Sequence, residues 1–357
     1  MHSLIQFKNP TSLFSVAILT VLCASRSFAQ VDYSTFNYPG AMGGSTFLTG
    51  VRGAEGENVY VTGTFRPQGS NGTQGLLYQG LLSGVGQWAV LNFPSSPSIT
   101  VTSTALYGPN TRSPNKVRLA GSYKQSETGQ LDHGLLYEGP PDGSGTWQTL
   151  DYPSVGETVL NTIAHSTMGG LVVGNFDTNL LTGRAFIYDI HNNSWMELMK
   201  PGAVSITAYG IWHNGGTHYT IAGGYSDGNP MGIDHGYLVN WDSATQTSSN
   251  WTSYDFENRN IGVAISHFDG ITGDNHGGFY LTGDWLSVVR RQAGAFFAHV
   301  RRMPNGEFGE ARWAAIAYPS SNATSGNTVF ENNVLGVYTV NGSSVINGYV
   351  AVVQLPR

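Results

Sequence analysis

Four tripeptides carry the residues best suited to chemistry. Ile163-Ala164-His165, Ile211-Trp212-His213 and Ile265-Ser266-His267 each end in histidine, and Val329-Phe330-Glu331 ends in a carboxylate. They recur roughly every fifty to sixty residues, so units arranged about one axis would bring His165, His213, His267 and Glu331 together. Three imidazoles and a carboxylate suit a divalent metal such as Zn or Mn, which would polarise a substrate carboxylate or activate water as a Lewis acid. Gly53 and Gly108 fall at the same point of the first two units and would leave one side of the axis open. The competing account is duplication: a strand-end histidine recurs with its unit and hydrogen-bonds a nearby turn.

The elements that must position these residues form a repeat. Second strands read VYVTGTF, VRLAGSY, LVVGNF, YTIAGGY, FYLTGDW and VLGVY, each centred on a glycine: Gly63, Gly121, Gly174, Gly223, Gly283 and Gly336. A third strand opening on a small residue follows at Gly75, Gly134, Ala185, Gly236, Ala295 and Gly348. The near-constant interval predicts a hairpin, with turn residues at its tip. Fourth strands carry Trp88, Trp147, Trp195, Trp251 and Trp313, each followed six residues later by Pro94, Pro153, Pro201, Glu257 or Pro319. The last copy lacks this strand, but Tyr33 precedes Pro39 by the same interval near the other end of the chain. A linear stack has no reason to lend its first strand to its last unit, whereas closure of a ring removes two exposed edges. The sequence therefore predicts an all-β six-bladed β-propeller of four-stranded antiparallel blades, its ring closed by the N-terminal strand.

The segments Arg184-Ala185-Phe186-Ile187-Tyr188, Asp132-His133-Gly134 and Asp234-His235-Gly236 resemble the HAF-type repeat of bacterial extracellular proteins. The unit with Tyr188-Asp189 and Trp195 is also similar to a kelch repeat, although only Gly223-Gly224 keeps the kelch double glycine. These resemblances imply an extracellular repeat protein with a kelch-like architecture and no particular reaction, since function lives in sites grafted on folds.

Composition agrees with an all-β domain: 47 glycines, 12% aromatic and only 11% charged residues. Lys8, the apolar run from Leu13 to Ala24 and the small residues Ser27 and Ala29 read as a secretory signal peptide over 1–29, leaving one domain over 30–357. The run is too short to cross a membrane as a helix. Cys23 is the only cysteine and would leave with the signal, so the mature chain has no disulfide, thiol nucleophile or thiolate metal ligand. The net charge of −6 becomes more negative when Lys8 and Arg26 are removed, which argues against nucleic acid as a partner.

No nucleophile elbow, HExxH, phosphate loop or dinucleotide motif is present. His133 and His235, each between Asp and Gly, read as structural histidines donating to a neighbouring blade or a backbone carbonyl. His218, His276, Asp269 and Asp274 read as turn residues, the last two lacking the full spacing of a calcium loop. Asp177, Asp227, Asp234, Asp284 and Arg290-Arg291 fall in or beside turns expected on one common face. Three readings follow. One is a secreted or periplasmic module binding carbohydrate or a surface protein; another is a metal-dependent polysaccharide lyase or hydrolase using His165, His213, His267 and Glu331; the third is a purely structural surface protein with no ligand.

Overall fold

A computed structural model describes residues 29–113, 115–154, 156–180, 182–228, 234–256, 265–287 and 292–355. Nearly all of the expected signal segment, Glu257 and Arg290-Arg291 lie outside these residues. The chain begins with β1 (Gln30–Thr35). The first sheet holds β2 (Ser45–Gly53), β3 (Val59–Arg66), β4 (Gln74–Gly80) and β5 (Gly86–Val90), and the second β6 (Val101–Ser113), β7 (Lys116–Gln125), β8 (Asp132–Gly139) and β9 (Thr146–Leu150). A third follows with β10 (Val159–Met168), β11 (Leu171–Thr178), β12 (Gly183–Asp189) and β13 (Ser194–Leu198). The fourth contains β14 (Ser205–Gly215), β15 (His218–Ser226), β16 (Asp234–Asp242) and β17 (Thr247–Tyr254); the fifth, β18 (Ile265–Gly273), β19 (Phe279–Ser287), β20 (Gln292–Arg302) and β21 (Phe308–Ile316). A single parallel bridge from Asp234 to Ile265 joins these two. The last sheet runs β22 (Ala323–Phe330), β23 (Asn333–Thr339), β24 (Asn347–Gln354) and then β1, which pairs antiparallel to β24 from Gln30↔Gln354 to Thr35↔Tyr349.

Every sheet is an antiparallel meander, as the regular turn spacing requires. The first strand of each sheet packs against that of the next, and β22 packs against β2. Successive four-stranded sheets packed face to face in this order have the architecture of a β-propeller.

Aromatic pairs fill the layers between sheets. The third-strand tyrosines Tyr78, Tyr137 and Tyr188 are fully buried, with ring centroids 4.9, 4.7 and 4.7 Å from Trp88, Trp147 and Trp195. In the fifth sheet Ala298 stands opposite Trp313 and Phe296 packs on that ring diagonally at 4.9 Å, and Tyr33 of β1 lies 6.4 Å from Tyr349. Each such pair adds about 0.5–1.5 kcal/mol beyond the area it buries. A second repeated device fixes where five of the six first strands begin. The backbone N–H groups of Tyr38, Phe93, Tyr152, Phe256 and Tyr318 donate to the hydroxyls of Thr46, Thr104, Thr162, Ser266 and Thr324, at 3.0 to 3.2 Å. The incoming chain is thereby locked to the strand that lines the centre of the fold.

Candidate functional site

Each first strand carries a bulge at one level. The ladder to the second strand shifts after Leu48, Leu106, Ala164, Ala208, Phe268 and Gly326, each paired with its sheet's second-strand glycine. A bulge leaves a residue unpaired and re-aims its side chain; here those residues are Thr49, Tyr107 together with Gly108, His165, Tyr209, Asp269 and Asn327. Two of the glycines that follow show how tightly the strands meet. A Cβ on Gly50 would lie 1.6 Å from the Tyr107 carbonyl oxygen, and one on Gly270 would lie 2.7 Å from the Thr328 Cα.

These residues make a chain of contacts from sheet to sheet. Thr49 Oγ1 donates to the Leu106 carbonyl. The Tyr107 ring is 5.1 Å from His165, His165 is 4.8 Å from Tyr209, and Tyr209 is 5.6 Å from His267. Asp284, beside His267 on the next strand, accepts from Ser325 Oγ at 2.7 Å and from the Gly326 N–H at 2.8 Å. Asn327 Nδ2 donates to the Leu48 carbonyl at 2.7 Å, which returns the chain of contacts to the first sheet.

His165 Nε2 donates to Asn175 Oδ1 at 2.7 Å. Burial pushes its pKa down to about 4 against the opposing effect of that bond, so the ring is neutral at pH 7. Burial also pushes the Tyr107 hydroxyl up to about 12, with the Asp132 charge adding to the shift, and pushes Tyr209 up as well.

The charged groups gather on the fifth sheet. His267 Nε2 lies 3.3 Å from Asp269 Oδ2, and ligand atoms of His267, Asp269 and Asp284 all fall within 4.8 Å of one another. Burial alone would discharge His267, but the Asp269, Asp284 and Asp234 carboxylates outweigh it and raise the imidazole to about 9. Burial, then the Asp269 charge, pushes Asp284 up to about 7 despite its bonds to Ser325 and Gly326. Among the described residues this is the one group of three or more His, Cys, Asp or Glu side chains spaced to hold a metal ion.

The structure does not gather His165, His213, His267 and Glu331. His165 shares the bulge level with Tyr209 and Asp269, so His213 lies four residues further along β14 and His267 two residues before the bulge. His213 stacks on Tyr219 at 4.6 Å and its Nε2 meets the Gly216 carbonyl at 2.9 Å, the turn contact that duplication predicts. Glu331 is exposed in the turn after β22, with φ of 53°. Gly53 pairs with Val59 at the far end of β2, whereas Gly108 follows Tyr107 directly.

His133 and His235 hold carboxylates in place of the backbone or neighbouring-blade partners expected of them. Each stacks on a tyrosine, Tyr123 or Tyr225, and places Nδ1 2.9 or 2.8 Å from Asp151 or Asp255. Asp274 acts as a turn residue, accepting from the backbone of His276 and Gly278 and from His299.

Two cavities open beside the bulge residues. The larger, about 690 Å³, lies between the first two sheets and is lined by Thr49, Thr64, Tyr107, Ser122, Lys124 and Gln130 among others. The smaller, about 120 Å³, is bordered by Thr207, Tyr209, Asp234 and His267.

No family model matches this chain, and no curated protein matches it. Among solved structures, a protein of unknown function from Dyadobacter fermentans is similar in fold, with 10% identity, TM-score 0.52 and coverage of 91% of this chain and 99% of that one. A luciferin-regenerating enzyme matches at 13% identity, TM-score 0.48 and 91% and 96% coverage. An exo-β-1,3-galactanase from Clostridium thermocellum matches at 10% identity, TM-score 0.45 and 89% and 68% coverage.

Proposed function

We propose that this chain is an exported carbohydrate-binding protein whose ligand sits in the cleft between the first two sheets. The observation that carries this reading is the hydrogen-bonding character of the wall. Thr49, Thr73 and Ser122 spend their hydroxyl protons internally, on Leu106 O, Thr104 O and Asp132, and so offer the cleft lone pairs only. Lys124, Arg66 and Asn71 in the same wall supply donors, and Lys124 is held 3.1 Å from Asp132. A ligand matching this wall must donate and accept many hydrogen bonds with little net charge, which is the chemistry of a polyhydroxylated ligand. The cleft has the size of a small-ligand site.

The scaffold we propose is one domain over 30–357, a six-bladed ring with HAF-type repeats, closed by β1. Its support is the pairing of β1 with β24, the packing of β22 on β2 and the sheet-to-sheet contacts at and beside the bulges. Export is supported by the signal-like segment over 1–29.

Screening the purified protein on a glycan array, followed by calorimetry of the hits, tests the reading. Saturable binding weakened at least tenfold by Lys124→Ala or Gln130→Ala, with unchanged circular dichroism, is expected. No saturable glycan binding would overturn it, and turnover of an acidic polysaccharide would replace it with the lyase or hydrolase reading.

A further inference from the structure

We propose that His267, Asp269 and Asp284 form a divalent-cation site of the Zn or Mn class. The proposal does not depend on the ligand assigned to the larger cleft. Its first support is geometric. His267 Nε2 and Asp269 Oδ2 stand 3.3 Å apart, which is the separation of two ligands about a tetrahedral ion with bonds of about 2.0–2.1 Å. Asp284 faces them from the adjacent strand, in register with His267, and offers a third ligand atom within 4.8 Å of the others.

The second support is the shell behind the ligands. Asp284 is aimed by Ser325 Oγ at 2.7 Å on one oxygen and by the Gly326 N–H at 2.8 Å on the other, so the neighbouring sheet fixes its orientation. Such outer contacts commonly orient metal ligands. Asp269 occupies the bulge, which turns it toward the same point as His267 two residues earlier.

The third support is access. The His267 and Asp269 side chains are 28% and 16% exposed, so they are neither sealed nor freely solvated. His267 borders the cavity of about 120 Å³, which it shares with Asp234 and Tyr209. An ion can therefore enter and keep water in its remaining positions. Three protein ligands with open positions are the pattern of a reactive or ligand-binding ion, whereas a structural zinc is closed by four. One imidazole with two carboxylates selects against Cu(I), which wants sulfur, and against Ca and Mg, which favour all-oxygen sites.

The test uses the intact protein stripped with chelator and titrated with Zn²⁺ and Mn²⁺ by calorimetry, with elemental analysis after gel filtration. We expect one equivalent bound, with proton release on binding. Asp269→Asn and His267→Gln should weaken the ion at least a hundredfold, and Ser325→Ala ten- to a hundredfold. Should a variant fail to fold, the wild-type protein provides the second measurement: its Tm must rise with Zn²⁺ or Mn²⁺ and must not rise with Mg²⁺ at the same concentration. Absence of saturable binding by both ions, or binding that survives His267→Gln with Asp269→Asn, overturns the site. Glycan binding repeated in chelator keeps this outcome separate from the fate of the cleft.

Discussion

Arg52 Nη2, in the first sheet, donates to the Ile211 carbonyl of the fourth sheet at 3.0 Å. Its Nη1 donates to the Val51 carbonyl at 3.0 Å, its guanidinium lies 5.6 Å from the Trp212 ring centroid, and the residue is 7% exposed. Burial lowers its pKa to about 10, so it remains charged at pH 7. Arg52 therefore bridges two sheets that are three apart in chain order.

Arg52→Met keeps most of the apolar stem but removes both donors. Hydrogen bonds from a charged group contribute about 1.5–3 kcal/mol, so a loss of this order is expected in urea unfolding at pH 7. An unchanged midpoint would show that burying the cation cancels the bridge.

The sheets are legible in the sequence because glycine, tryptophan and proline mark the same strand positions in almost every copy. Tyr33 even identifies the strand that pairs with β24. The site is hidden because a bulge changes which residues share a level without changing any local pattern. Tripeptides chosen for their final histidine or glutamate cannot be compared safely across strands that differ in length after the bulge, as β14 and β22 do. A usable signal is the dipeptide at the bulge itself: Thr49-Gly50, Tyr107-Gly108, Tyr209-Gly210 and Asp269-Gly270. Aligning on it places His165 with Tyr209 and Asp269. Arg52 and Ile211 carry no local signal, because only the tertiary arrangement brings them together.

Acid should destabilise the protein through His165. Its folded pKa is about 4, below the unfolded value of about 6.5, so the folded state favours the neutral ring. The contribution is complete above about pH 6.5 and is lost as pH falls through about 4, by at most about 3 kcal/mol. His165→Gln should flatten this part of the profile. Denaturation midpoints at pH 7 and pH 5 would check it, and an equal drop in both proteins would assign the acid sensitivity elsewhere.

His267 should behave in the opposite sense in metal-free protein. Its folded pKa is raised to about 9, so its contribution is fully present below about pH 6.5 and is lost as pH rises through about 9. Asp269→Asn removes the nearest opposing charge and should lower the imidazole pKa by more than one unit. Nitrogen-15 chemical shifts of the ring against pH read this directly. A pKa that does not move would mean that Asp284 and Asp234 sustain the shift without Asp269.

Deleting 30–35 should expose the edge of β24 and test how the last sheet is completed. β1 supplies a full ladder to β24, and the Tyr33 hydroxyl accepts from the Ala317 N–H at 3.0 Å. Thr35 Oγ1 lies 2.8 and 2.9 Å from the Tyr318 and Tyr338 hydroxyls. Losing the partial burial of Val31 and Tyr33 costs about 2–4 kcal/mol, so Tm should fall by about 3–6 °C. An unpaired edge also recruits other chains, so the truncated protein should associate in a concentration-dependent way by light scattering. A synthetic peptide QVDYST added in excess should restore Tm by strand addition. A truncated protein that is monomeric and as stable as the parent would remove β1 from the architecture and leave the last sheet three-stranded.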